Sequence, residues 1–101
     1  MSRIQFTARA EKDIARLREN RGKALKAILA LETDPYIGHT LSGSLRGVRS
    51  LEFSLPGGAY RAAYVVLENQ EVCLIFIVGP HENFYDEAER RYRALQKSDK
   101  L

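Results

Sequence analysis

Tyr60-Arg61-Ala62-Ala63-Tyr64-Val65-Val66-Leu67, a polar link, and then Val72-Cys73-Leu74-Ile75-Phe76-Ile77-Val78-Gly79-Pro80-His81-Glu82-Asn83-Phe84-Tyr85 decide how this chain folds. Two nearly unbroken apolar runs joined by a few polar residues predict paired strands buried on both faces, because a strand with one face in water would alternate. A period of two in the first run puts Arg61, Ala63, Val65 and Leu67 on one face and Tyr60, Ala62, Tyr64 and Val66 on the other. Past the second run stand His81, Glu82 and Tyr85, where a strand gives way to a charged helix.

Upstream, residues 48–55 alternate, with Leu51, Phe53 and Leu55 facing one way and Ser50, Glu52 and Ser54 the other. Pro56-Gly57-Gly58 and Glu68-Asn69-Gln70 supply two short turns, so a three-stranded antiparallel meander is predicted. Downstream, residues 81–96 carry Phe84, Tyr85, Ala88, Tyr92 and Leu95 at helical spacing, with acids early and arginines late, the order that complements the helix dipole.

The N-terminal part reads as a short strand over residues 2–6, with Ile4 and Phe6 on one side and Thr7 as a helix cap. A first helix over residues 8–20 places Ala10, Ile14, Leu17 and the Arg21 stem inward and Arg9, Lys12, Asp13, Arg16 and Arg18 outward, with Gly22 as a stop or hinge. A second helix over residues 23–31, with Leu25, Ile28, Leu29 and Leu31 apolar, closes before Asp34-Pro35. Residues 34–47, holding Pro35, Gly38, Gly43 and Gly47, read as a loop of about fourteen residues, long for a passive connector. The resulting order, β-α-α-β-β-β-α, describes a small α+β sandwich in which an antiparallel sheet packs against a helical hairpin, with the helices on one face. One domain over residues 1–97 and a frayed tail at 98–101 complete the expectation.

At 101 residues the chain is long enough for one core that removes about two-thirds of its unfolded surface from water. With 45% hydrophobic and 29% charged residues it has the composition of a soluble globular protein. No run approaches the roughly 18 apolar residues of a membrane span. The first residues lack the apolar core of a signal peptide, so a cytoplasmic location and no membrane partner are expected. The single Cys73 cannot pair internally and reads as a small buried hydrophobe. Two histidines and one cysteine offer no metal-ligand spacing, so neither a metal nor another cofactor is expected. Residues 1–50 carry ten Lys/Arg against five Asp/Glu, and residues 51–101 carry six against eight, so the N-terminal half is the basic one. Such a half attracts polyanions, or is simply a solvated basic helix face.

Arg61 stands beside alanines and one strand away from Glu52. It can form a structural ion pair with that glutamate, or point into an open concavity and hold a phosphate with its planar fork of donors. His81 and Tyr85, four residues apart, share a face if both lie on a helix, and overhang the same concavity. Arginine, glutamate, histidine and tyrosine suffice for phosphodiester cleavage without a metal: a base takes the proton of an RNA 2′-OH, arginine stabilises the phosphorane, and an acid protonates the leaving oxygen. DNA, without the 2′-OH, is excluded as a substrate of that route.

Leu41-Ser42-Gly43-Ser44-Leu45-Arg46-Gly47, followed by Gly58-Ala59-Tyr60-Arg61-Ala62-Ala63-Tyr64 and by Ile77-Val78-Gly79-Pro80-His81-Glu82 leading to Tyr85, resembles the RelE/ParE superfamily of toxins from bacterial type II toxin–antitoxin pairs. The resemblance runs over nearly the whole chain, and its strongest motif is the Tyr-Arg-x-x-Tyr strand after a Leu-x-Gly-x-Leu-x-Gly loop. It implies a ribosome-dependent mRNA endonuclease neutralised by a cognate antitoxin, with Arg61 at the scissile phosphate and His81 and Tyr85 at the positions of the family's basic residue and tyrosine. The two strand lysines of RelE are replaced here by Glu52 and Ser54; since other ribosome-dependent relatives use glutamate and histidine, Glu52 joins Arg61, His81 and Tyr85 as a candidate catalytic residue. Arg9, Lys12, Arg16, Lys23, Lys26, Arg46 and Arg49 are then the candidates for contact with ribosomal RNA. Two alternatives are a ParE-like, non-nucleolytic inhibitor of DNA gyrase and an inactive relic that only binds its antitoxin.

Overall fold

The computed structural model describes residues 2–67 and 69–98. Within them, five strands form one sheet: β1 (Arg3–Phe6), β2 (His39–Thr40), β3 (Arg49–Leu55), β4 (Gly58–Leu67) and β5 (Val72–Pro80), in the spatial order β1-β5-β4-β3-β2. The helices are α1 (Ala8–Ala15), α2 (Arg21–Ile28) and α3 (Phe84–Lys97). The predicted meander is present as β3-β4-β5, but β1 runs parallel to β5, pairing Ile4 with Cys73 and Phe6 with Ile75, so the sheet is mixed rather than antiparallel. Among the described residues no helix is long and apolar enough to cross a membrane.

The helices do not share a face. On one side of the sheet Ala62, Tyr64, Cys73, Ile75 and Val78 pack with Ala10, Ile14, Ala24, Ile28 and Leu31 of the α1–α2 region. On the other side Ala63, Val65, Phe76 and Ile77 pack with Leu45, Val48, Phe84, Ala88 and Tyr92, which places α3 opposite the hairpin. A bulge interrupts the alternation of β5. Ala63 pairs with Ile77 while Tyr64 pairs with Ile75, leaving Phe76 as the extra residue, and both Phe76 and Ile77 join the α3 side. Cys73 is a free, fully buried thiol, and burial pushes its pKa up, which fits its reading as a packing residue.

The helical hairpin bends earlier than its sequence suggests. Thr7 caps α1 by accepting the Ala10 N–H at 3.1 Å, but α1 stops at Ala15. Arg18 takes the left-handed conformation (φ +52°) at the start of a 3-10 turn, Arg18–Asn20, so Gly22 lies inside α2 rather than ending a helix. Arg21 is exposed and so is Leu29, while Leu31 is fully buried, because the chain winds on from α2 as a tighter 3-10 turn, Leu29–Glu32, that alters which residues face the sheet. The third predicted helix begins at Phe84 rather than at residue 81. Glu68 of the predicted second turn lies outside the described residues; Asn69 and Gln70 take the positive φ of a tight turn. Ser98 still closes α3 through its N–H to the Ala94 carbonyl, and the rest of the predicted tail, 99–101, lies outside the described residues.

Residues 34–47 are more structured than a loop. They contain β2 and a 3-10 turn, Gly43–Leu45, and their first part is anchored to the sheet. The fully buried Tyr64 donates its hydroxyl to the Pro35 carbonyl at 2.8 Å and accepts the Gly38 N–H at 3.1 Å; burial pushes its pKa up. A Cβ on Gly38 would sit 2.6 Å from that hydroxyl and 3.0 Å from the Ser50 carbonyl oxygen, and neither a buried ring nor a strand backbone can yield cheaply. Gly38→Ala is therefore expected to cost about 1–3 kcal/mol of stability, read as a lower urea midpoint at unchanged slope.

Candidate active site

The β3–β4 hairpin builds the floor. Its two-residue turn, Pro56-Gly57 with Gly57 at φ +104°, pairs Leu55 with Gly58 and so fixes a register in which Glu52 lies directly opposite Arg61. On the other side of β4, Arg61 pairs with Gly79. One row across the sheet therefore reads Glu52, Arg61, Gly79. The next row reads Ser54 and Ala59, with the His81 N–H donating to the Ala59 carbonyl at 3.3 Å.

Arg61 Nη2 lies 3.2 Å from Glu52 Oε1; the arginine side chain is 14% exposed and the glutamate 50%. The ion-pair reading of the sequence is thus realised, but it engages only one nitrogen. Arg61 Nε and Nη1 are buried and, among the described residues, have no hydrogen-bond partner. Its Cζ lies 5.1 Å from the centroid of the Tyr85 ring, within the range of a cation–π contact. Donors held in this way carry a desolvation cost that an anionic oxygen would relieve.

Tyr85 reaches Arg61 because Asn83, at φ +56°, turns the chain sharply out of the end of β5 and into α3. Phe84 then anchors in the core on the α3 side, and Tyr85 packs edge-on against it with ring centroids 5.4 Å apart. His81 precedes the helix start by three residues, so the predicted shared helix face does not form. Register instead places His81 on the Arg61 side of the sheet, since it follows Gly79 by two along the line of β5. It is exposed, and among the described residues its side chain makes no hydrogen bond.

The basic candidates divide over the molecule. Arg9 and Lys12 lie on α1, Arg16 at its C-cap and Lys23 and Lys26 on α2, all exposed and on the helical hairpin that covers the other side of the sheet. Arg9 and Arg16 make long ion pairs, at 3.9 Å to Glu87 and 3.8 Å to Asp13. Arg46 is exposed beside the core on the α3 side, where its carbonyl accepts the Tyr92 hydroxyl. Arg49 is structural: its Nη1 donates to the Tyr36 and Gly38 carbonyls, and its guanidinium lies 4.7 Å from the Tyr36 ring centroid. Among the described residues no group of three His, Cys, Asp or Glu is placed to hold a metal ion.

Sequence reading missed one cluster. Asp13, expected in water, is buried, and with Arg91 it forms a two-pronged pair at 2.6 and 3.1 Å. Both residues fall on the apolar stripes of their helices, Asp13 three past Ala10 and Arg91 three past Ala88. An acid on one buried stripe and an arginine on another was the signal available. Burial works against the Arg91 charge, but the hydrogen bonds it donates to Asp13 and Glu87 outweigh it and its pKa lies above the ordinary value. Hydrogen bonds from Arg91, then Arg90, hold the Glu87 carboxyl below the usual range. A carboxyl lowered by folding adds stability that is present above its unfolded pKa of about 4.3 and lost as pH falls through the folded value. Stability should therefore decline below roughly pH 4.5, and Glu87→Gln should make that acid limb shallower, as measured by urea midpoints across pH.

Over residues 4–89 the sequence matches a family model described as ParE-like toxin of type II bacterial toxin–antitoxin system. No curated protein matches the chain significantly. Among solved structures, the chain is similar to the E. coli toxin RelE, in a double-mutant form in the free state, at 26% identity with a TM-score of 0.67 over 87% of this chain and 94% of that one. It is also similar in fold to the RelBE2 toxin–antitoxin complex from Mycobacterium tuberculosis (22% identity, TM-score 0.68, 79% of this chain and 98% of that one). The same holds for E. coli YafQ (16% identity, TM-score 0.52, 80% and 94%).

Proposed function

Since this chain belongs to the family of ParE-like toxins of type II bacterial toxin–antitoxin systems, we propose that it acts in the cytoplasm as a ribosome-dependent mRNA endonuclease, restrained by a cognate antitoxin. The observation that carries the nuclease reading is Arg61: a guanidinium on the central strand with two buried donors unpartnered and a tyrosine ring against it. The antitoxin is supported by the toxin–antitoxin complexes among the similar structures.

The order of the strands supports a division of the remaining roles. Glu52 on β3 and His81 beyond β5 flank Arg61 on opposite sides. A phosphodiester held at Arg61 then has a carboxylate on one side and an imidazole on the other, as an in-line displacement requires. Glu52 accepts the proton of the 2′-OH as its oxygen attacks phosphorus; Arg61 neutralises the charge that develops on the phosphorane; His81 protonates the departing 5′ oxygen. The P–O5′ bond breaks, leaving a 2′,3′-cyclic phosphate and a 5′-hydroxyl, with no metal required. Tyr85 stacks on or hydrogen-bonds the nucleotide at the site. Arg46 on the same side and Arg9, Lys12, Arg16, Lys23 and Lys26 on the hairpin contact ribosomal RNA phosphates, which position without reading sequence.

Purified protein added to programmed ribosomes should cut mRNA to fragments ending in 2′,3′-cyclic phosphate, and a 2′-deoxy substitution at the scissile nucleotide should block the cut. Intact mRNA together with inhibited supercoiling by DNA gyrase would replace this reading with the non-nucleolytic one. Antitoxin binding with neither activity would identify a relic.

A further inference from the structure

The cluster that joins α1, β5 and α3 stands outside the candidate site, yet its bonds are directed at the elements that shape it. Asp13 Oδ2 accepts the Val78 N–H at 3.0 Å and Arg91 Nη1 at 2.6 Å, while its Oδ1 accepts Arg91 Nη2 at 3.1 Å. Arg91 also donates to the Phe76 carbonyl at 3.1 Å and, through Nε, to Glu87 at 2.8 Å. β1 pairs with β5 only as far as Ile75, so beyond that residue these two side chains provide the bonds that a neighbouring strand would otherwise make. Val78 is followed by Gly79, the partner of Arg61, and Arg91 lies on the helix that carries Tyr85.

The start of α3 has little else to hold it in register. Asn83 makes no side-chain cap, and the first backbone bonds are long: Phe84 N–H to the His81 carbonyl at 3.4 Å and Glu87 N–H to the Asn83 carbonyl at 3.5 Å. Apolar packing of Phe84 and Ala88 tolerates sliding and rotation, whereas a planar fork on a carboxylate does not. A buried ion pair is also a weak source of net stability compared with apolar residues of similar volume. We propose that Asp13 and Arg91 are positioning residues: their pair fixes the height and rotation of α3 against the end of β5, and so seats Tyr85 on Arg61. The consequence for catalysis rests on the endonuclease reading above; the consequence for the Tyr85–Arg61 contact does not.

The test measures both. In the wild-type protein the Tyr85 ring should shift the Arg61 side-chain proton resonances upfield, a signal that exists whatever the activity. Asp13→Asn keeps an acceptor for the Val78 N–H but removes the charge, and Arg91→Lys keeps the charge but removes the fork; the second serves if the first does not fold. Each should lose at least half of that ring-current shift and lower kcat for mRNA cleavage by about 10- to 100-fold with KM little changed, as expected when reacting groups are displaced by an ångström or less. Gly38→Ala, a destabilising change near β2 on the other edge of the sheet, is the comparison and should leave the shift and kcat intact. An unchanged ring-current shift in both cluster variants overturns the proposal and leaves the pair a purely structural one. If wild-type protein cuts no mRNA, the endonuclease reading fails, and the ring-current measurement still decides whether the pair seats Tyr85.

Discussion

Arg61→Ala is expected to abolish the proposed mRNA cleavage on the ribosome, with kcat lowered by at least about 100-fold, the magnitude typical of losing a donor that meets charge developing in the transition state. Its melting temperature stays within about 5 °C of wild type. The two halves of this expectation have separate causes. Catalytically, nothing else on the floor can replace a guanidinium: Ser54 is neutral, Glu52 is anionic, and His81 lies one row away. Structurally, the Glu52 contact is a single bond to a half-exposed carboxylate, a pair worth about 0–1 kcal/mol. Removing Arg61 also removes two buried donors that lack partners, which offsets the lost contact with Tyr85. A primer-extension assay on programmed ribosomes and a thermal melt of the same preparation decide the matter. A variant that unfolds, from a wild type with no cleavage to lose, would make Arg61 a packing residue. Full activity in a folded variant would remove it from the mechanism.

Asp13→Ala has the largest expected effect on stability. It leaves the Arg91 guanidinium, 11% exposed, without its two-pronged partner, and deprives the Val78 N–H of its acceptor. Breaking a buried pair from one side typically costs about 3–5 kcal/mol. Glu87 and the Phe76 carbonyl remain as partners for Arg91, which favours the lower end, about 3 kcal/mol. For a domain of this size that lowers the melting temperature by roughly 15 °C. The same substitution at Glu11, exposed on the same helix, should change it by no more than a degree or two. A melting temperature that barely moves would mean that the network contributes little to the fold.

Much of the architecture was legible in the chain. Periodicities near two and near 3.6 placed the meander, Thr7 as a cap, the helical hairpin and the C-terminal helix, because they follow from local geometry. The helix bounds were less legible. Arg18 rather than Gly22 makes the turn between α1 and α2, a conformation that an arginine adopts only when the surroundings impose it. The C-terminal helix starts at Phe84 and not at residue 81 for a similar reason, since Asn83 turns left-handed where the chain leaves β5.

The candidate site shows the same division. Alternation put Arg61 and Glu52 on neighbouring strands and left an ion pair as one of two readings; the observed two-residue turn sets them opposite each other, 3.2 Å apart. That Tyr85 lies on Arg61 while His81 stands apart from the helix depends on how α3 seats against the sheet, which no local pattern encodes. The same is true of the bonds that Arg49 donates to the Tyr36 and Gly38 carbonyls.

By itself, then, the sequence determined the main strands and helices, which side chains share a strand face, and that Glu52 and Arg61 lie one strand apart. Only the tertiary structure decided that β1 lies parallel to β5, that a bulge puts Phe76 and Ile77 on the same face, that α3 covers the face opposite the hairpin, and that Asp13 and Arg91 are buried together. The physical reason is range. Dihedral preference and side-chain period act over a few residues, whereas burial and charge pairing are settled between residues as far apart as 13 and 91, and only once the whole core has closed around them.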